Sequence, residues 1–171
     1  MLMDLQISTK TALVCASTSG LGEAVARSLA REGVRTVITG RRFDRARAIA
    51  GELPGAQAIR CDFSQPEAAW NLFSEVQSSV GPPDILILNG PGPAPSLARD
   101  VESNGLRTAI DSAAAFQVEL VRFVLPKMLE NKWGRIVCLS SSGVVAPIPG
   151  LALSNMARSA LGGYLNTLSR E

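Results

Sequence analysis

Five short apolar runs alternate along the chain with longer segments whose apolar residues recur at three- and four-residue steps. The runs are TALVCA (11–16), RTVITG (35–40), AQAIRC (56–61), DILILN (84–89) and RIVCLS (135–140). None shows the strict polar alternation of a half-exposed strand, so they predict strands covered on both faces. Residues 21–32, 42–51, 65–80 and 105–131 predict crossover helices. The last of these carries Leu106, Ile110, Ala114, Val118, Val121 and Leu125 as its apolar stripe. A further helical segment runs over 153–170. The alternation predicts an α/β fold built on a doubly wound parallel sheet, in a single domain covering 1–171. Two loops, GPGPAPS (90–96) and SSGVVAPIPG (141–150), are kept irregular by proline and glycine. Both follow strand ends, where open α/β sheets bind ligands.

Composition narrows the picture by exclusion. A chain of 171 residues with 46% apolar content supports one well-buried core and is short for two. Its 17 basic and 15 acidic residues are scattered, so no basic stripe points to nucleic acid. The opening MLMDLQISTK lacks the pattern of a secretory signal, and no apolar run is long enough for a membrane span. The expectation is a soluble cytoplasmic protein. Cys15, Cys61 and Cys138 are odd in number, far apart and set in apolar stretches, which predicts buried thiols rather than a disulfide framework. Without histidine or a C-x-x-C pair, the chain offers no conventional zinc site and no Ser-His-Asp triad.

The first strand runs straight into CASTSGLGEAVARSLA, so Gly20 and Gly22 fall where a strand turns into a helix. Backbone amides at such a turn can approach a pyrophosphate, and the helix N-terminus adds favourable partial charge. This is the entry of a Rossmann-like, dinucleotide-binding unit. About twenty residues on, an NAD site would place a carboxylate for the ribose 2′-hydroxyl. The chain has TGRR there, and Arg41 and Arg42 suit a 2′-phosphate, which favours NADP over NAD. Asp62, at the end of the third run, is placed either to accept from an adenine amino group or to cap the helix that follows.

With these motifs together, the chain resembles the short-chain dehydrogenase/reductase family from Lys10 onward. The T-G-x-x-x-G-x-G of that family falls on 15–22, with Ala16 in place of the first glycine, and D-x-L-V-N-N-A-G falls on DILILNGP, keeping Asp84 and Asn89. LPKM (125–128), GRIV (134–137) and LSSSG match further family motifs, and P-G-x-x-x-Y-x-x-x-K lies over PGLALSNMAR (149–158). The resemblance implies NADP contacts from Ala16, Ser17, Ser19, Gly20, Leu21, Gly22, Arg41, Arg42, Asp62, Phe63, Asn89 and Gly90. It also implies a small-molecule substrate and a homodimer or homotetramer formed by helices 105–131 and 153–170.

In the family a tyrosine acts as acid or base, a serine orients the substrate oxygen, a lysine holds the ribose and an asparagine maintains a water relay. Carried over, the serine is Ser141, the tyrosine site is Ser154, the lysine site is Arg158, and the asparagine site is Ala113 or its neighbour Ser112. Tyr164 lies ten residues past the tyrosine site, roughly 15 Å along a helix, and is expected to pack rather than react. NGPGP with SNMAR resembles a divergent β-ketoacyl-carrier-protein-reductase-like branch. Two functions follow: an NADP-dependent oxidoreductase for a small carbonyl or alcohol, including 3-oxoacyl compounds, with Ser141, Ser154 and Arg158 at its catalytic centre; or a catalytically silent NADP-binding regulatory or structural subunit. Family members continue beyond the equivalent of residue 171, so the chain is expected to be truncated after the helix that follows strand five.

Overall fold

The computed structural model describes residues 4–65 and 67–171. Residues 1–3 of the expected single domain, and position 66 of the expected third helix, lie outside the described residues. Strands β1 (Thr11–Val14), β2 (Arg35–Gly40), β3 (Gln57–Arg60), β4 (Ile85–Leu88) and β5 (Arg135–Cys138) form one parallel sheet in the order β3-β2-β1-β4-β5. This is the Rossmann-like arrangement. β2 coincides with its apolar run, and the other four strands are shorter than theirs.

Both faces of the sheet are covered, which explains the unbroken apolar runs. Leu13 lies opposite Val37 and Leu86 in the ladder, and these three join one core with Ala69, Leu72, Val76, Leu120 and Val124 of helices α3 (Ala68–Val80) and α5 (Phe116–Glu130). Ala12, Val14, Ile38, Ile85 and Ile87 face the other way, against Ala26, Ala46 and Ile49 of α1 (Gly20–Arg31) and α2 (Phe43–Gly51). Fully burying one such leucine or isoleucine is worth roughly 1.5–3 kcal/mol. Tyr164 and Leu165 of α6 (Ala152–Leu168) pack against the first core. The chain leaves β1 for β2 and β3 on one side and resumes at β4 on the other, so a crevice opens between the ends of β1 and β4. No helix among the described residues is long and apolar enough to cross a membrane.

Three expectations need correction. The helix expected over 105–131 is α4 (Ser103–Ile110), a five-residue π-helical turn (Asp111–Ala115) and then α5. The wider turn rotates the buried face, so Leu106 is 37% exposed while Ala113, Gln117, Leu120 and Val124 point inward. Cys138 is half-buried rather than buried, because among the described residues β5 is paired only with β4, and its residues alternate between exposed and half-buried. Asp62 does not cap a helix. Its Oδ1 accepts from the amide of Ser64 at 3.1 Å and the hydroxyl at 2.8 Å, closing a local turn, and α3 starts six residues later.

Candidate active site

A cleft of about 810 Å³ opens along the C-terminal ends of β1 to β4. Ala16, Thr18 and Ser19 form one wall, Arg41, Arg42, Asp62 and Phe63 the end near β2 and β3, and Asn89 to Ala94 the far wall. The volume lies within the usual range for ligand clefts. α1 begins at the rim. Its Ser19 N-cap makes no side-chain cap, so first-turn amides remain available to an anion, and Gly20, at φ +57°, has open space where a side chain would stand. Leu21 is 69% exposed beside it.

Ser17 and Gly22 build the loop without lining the cleft, while Ala16 and Asn89 do both. Ser17 is fully buried; its hydroxyl donates to Val14 O at 2.7 Å and accepts from the Thr39 amide at 2.9 Å, locking β1 to β2. Gly22 is required by packing, since a Cβ there would lie 2.5 Å from Ala16 O and 2.7 Å from Asn89 Nδ2. Asn89 in turn donates to Ala16 O at 3.2 Å, joining the ends of β1 and β4. Ala16 itself sits at φ +46°, in the region that favours glycine.

The two arginines differ. Arg42 Nη2 donates to Thr18 O, Thr18 Oγ1 and Ser19 Oγ, bracing the loop. Arg41 is exposed at the cleft and lies close enough to Asp62 to act on its charge. Hydrogen bonds from the Ser64 hydroxyl and amide hold the Asp62 carboxyl below its ordinary range, with Arg41 and Arg60 adding to the effect. Phe63 is buried and stacks on Phe116 with ring centroids 4.0 Å apart.

At the β4 end the floor dips into a small cavity of about 10 Å³ lined by Asn89, Gly90, Ala113, Gln117, Cys138, Ser140 and Arg158, among others. Arg158 reaches from α6: Nη1 donates to Leu139 O at 3.0 Å and Nε to Ser154 Oγ at 3.3 Å. Ser154 and Arg158, one helical turn apart, are thus brought together. Ser141 follows β5, and its Oγ accepts from the Gly143 amide at 3.1 Å, capping a 3-10 turn (Ser142–Val144). A Cβ on Gly143 would collide with Asn155 Oδ1, so this turn lies against the start of α6 next to Ser154. No hydrogen bond joins Ser141 to Ser154 or Arg158 among the described residues. Ser112 lines the large cleft, Ala113 the small cavity, and both belong to the π-helical turn.

Burial pushes the Cys138 thiol up, partly offset by the charge of Arg158. Cys61, at the cleft wall, is pushed up to about 12, chiefly by burial and then by Asp62 and Glu75. Neither is a thiolate at neutral pH, so nucleophilic cysteine chemistry is disfavoured. The described residues contain no group of acidic, cysteine or histidine side chains that could hold a metal ion.

Two features escaped the sequence reading. Gln117 is 2% exposed inside an apolar helix face, and a polar residue in a buried stripe was the available signal. The second is the bridge between Ser96 and Leu151, where Ser96 N donates to Gly150 O at 2.8 Å and Ala152 N to Ser96 O at 3.1 Å. It stitches the proline-rich wall of the cleft to the start of α6, and no local pattern announces it.

Comparison with known proteins places the chain among similar folds and sequences. A family model described as short chain dehydrogenase matches residues 10–171. The chain is 32% identical over 163 residues to the uncharacterized oxidoreductase YvrD of Bacillus subtilis, covering 93% of this chain and 61% of that protein. It is 27% identical over 168 residues to 3-oxoacyl-(acyl-carrier-protein) reductase FabG of Rickettsia prowazekii, covering 98% of this chain and 68% of that one. The crystal structure of L-sorbose reductase from Gluconobacter frateurii, complexed with NADPH and L-sorbose, superposes with a TM-score of 0.90 at 28% identity, covering 98% of this chain and 66% of that one. This chain therefore spans about three fifths to two thirds of the length of these proteins.

Proposed function

Because the chain belongs to the short-chain dehydrogenase family, we propose that its cleft binds NADP(H) and that it is an oxidoreductase acting on a small carbonyl or alcohol. The observation that carries this reading is the placement of Arg41, exposed at one end of an 810 Å³ cleft whose rim holds the uncapped start of α1. The residues fit the cofactor: Gly20 leaves room for a pyrophosphate against the helix N-terminus, and Arg41 offers a charge-assisted donor to a 2′-phosphate. Arg41 supports NADP over NAD, as does the NADPH bound by L-sorbose reductase. Asn89 and Gly90 border the β4 end and line the small cavity together with Arg158, which would hold ribose hydroxyls in this reading.

Once bound, the cofactor supplies hydride exchange with the substrate carbon. The chain has to orient the substrate oxygen and manage its proton. Ser141 orients the oxygen in this reading, its hydroxyl free to donate while its lone pair holds the Gly143 amide. Ser154 is a poor acid, and Arg158 keeps its proton at working pH, so the donor is a water held between Ser141 and Ser154. Loss of a positioned phenol reduces general acid catalysis by roughly 10²–10⁴. The 3-oxoacyl chemistry named for FabG makes ketoacyl thioesters the first substrates to try. A homodimer or homotetramer in the cytoplasm, formed through α5 and α6, completes the reading.

One observation favours a second reading, a catalytically silent NADP-binding subunit. Arg158 is already committed to Leu139 O and Ser154 Oγ, a stable arrangement that involves no acid-base partner. NADPH binding by nucleotide fluorescence, followed by NADPH oxidation against a panel of ketones and ketoacyl thioesters, tests both. Binding with turnover supports the oxidoreductase, and binding without turnover supports the silent subunit. Absence of binding removes both.

A further inference from the structure

We propose that Gln117 is a positioning residue that holds the Arg158 guanidinium through one water bound in the cavity under the cleft. Its consequence for nucleotide affinity rests on the reading of the cleft given above.

Gln117 is 2% exposed, and its Nε2 donates to Asn89 O at 3.0 Å. Its Oε1 is buried without a hydrogen-bond partner among the described residues. Turning the amide over would not help, because Oε1 would then face Asn89 O, acceptor against acceptor. The orientation is fixed, and a buried amide oxygen in this position calls for a donor.

The cavity supplies one. At about 10 Å³ it has the size for a single water, and Gln117 and Arg158 both line it. Arg158 carries five N–H donors and spends one on Ser154 and one on Leu139 O. A water accepting from the guanidinium and donating to Gln117 Oε1 satisfies both groups. Ser140 and Cys138 complete the wall.

Two neighbours fit this arrangement. A Cβ on residue 90 would stand 3.1 Å from Gln117 Nε2, so Gly90 leaves the amide its place. Ala113 lines the same cavity one turn earlier on the same buried helix face, where a carboxamide would reach the same water.

The test begins with the nucleotide-free chain. Hydrogen exchange at Arg158 Nε–H, followed by ¹⁵N NMR, reads how firmly the guanidinium is held. Gln117→Leu keeps the volume and removes the amide, and should speed exchange roughly tenfold, the worth of about one buried hydrogen bond. Ala113→Asn in the Gln117→Leu background should restore most of the protection, which a purely structural role for Gln117 would not allow. Gly90→Ala should loosen Arg158 in the parent and have little further effect in Gln117→Leu. Unchanged exchange in Gln117→Leu, or no recovery with Ala113→Asn in a folded protein, overturns the proposal. If Gln117→Leu does not fold, Gly90→Ala decides: unchanged exchange there overturns it. NADPH titration of the same proteins should follow the same order, with roughly tenfold weaker binding for Gln117→Leu. A parent that shows the exchange pattern but no NADPH binding removes the reading of the cleft and supports the positioning role.

Discussion

Arg42 Nη2 lies 2.8 Å from Ser19 Oγ, so the side chain of one rim of the cleft holds the loop of the other. Arg41, its neighbour, is instead exposed at the cleft. The two should therefore respond differently to substitution. Arg41→Asp removes a donor and adds repulsion, and should weaken NADPH binding roughly 10–100-fold with little change for NADH. Arg42→Ala loosens Thr18 and Ser19 and should weaken both nucleotides alike. Paired titrations with NADPH and NADH check this, and equal losses for both in Arg41→Asp would contradict the role given to Arg41.

Ala16 holds φ at +46° where a glycine would sit without steric cost. The left-handed conformation costs an alanine about 1–2 kcal/mol, and glycine returns part of that through its larger unfolded-state entropy. Ala16→Gly should stabilise the fold by about 0.5–1 kcal/mol. Urea unfolding reads the change as a higher midpoint at unchanged slope.

Ser154 and Arg158 are hydrogen-bonded to each other at 3.3 Å, so they are best exchanged together. Ser154→Tyr with Arg158→Lys should raise turnover of a generic ketone by up to roughly 10²–10⁴ if acid catalysis limits the parent. Ser141→Ala added to this pair should remove the gain. A double variant that binds NADPH as the parent does and reduces nothing new would favour the silent subunit.

On β5, Val137 is 46% exposed and the strand bonds to β4 alone among the described residues. An apolar open edge invites pairing with another chain. The 171-residue chain should self-associate at tens of micromolar, and Val137→Lys should reduce this. Light scattering of the two proteins at equal concentration makes the comparison. A parent that stays monomeric would show the edge to be protected.

Cys61 is pushed up to about 12 and Cys15 is raised as well, both chiefly by burial. Unfolded thiols ionise near pH 8.5. Below that pH the contribution is fully present; above it the unfolded state releases protons that the folded state keeps, so stability falls as pH rises toward 12. The slope is at most about 1.4 kcal/mol per pH unit for each thiol. Unfolding midpoints between pH 8 and 11 should fall less steeply in Cys61→Ala than in the parent.

Strands were legible because burial on both faces writes itself into sequence as unbroken apolar runs, as in Leu13 and Val14 packing into opposite cores. The glycine loop was legible because its backbone demands are local. Leu106 shows where the reading stops. One π-helical turn between Ile110 and Phe116 changed which face is buried, and an even 3.6-residue count carries no trace of it. Gln117 depends on Asn89, 28 residues away, and Ser96 on Gly150 and Ala152. Such partners are set by topology. For Asp62 the capping alternative fails for the opposite reason: a nearer partner, Ser64, claims the carboxylate before any helix begins.

Thr11 N donates at 3.0 Å to Asp84 Oδ2, 73 positions further along the chain, at the point where β4 takes its place beside β1. Everything from β1 to β3 pairs with a near neighbour in sequence, whereas the centre of the sheet must wait for this long closure. Loop entropy is lost before the contacts that compensate it are made, which makes such parallel pairings slow. Docking of β4 onto β1 is the natural late step of folding. Both the large cleft and the cavity under Arg158 border residues that follow β4, so neither exists until that step is complete. A ligand for this site can therefore recognise only the finished sheet, and would act on the rate at which it comes apart rather than on the rate at which it first assembles.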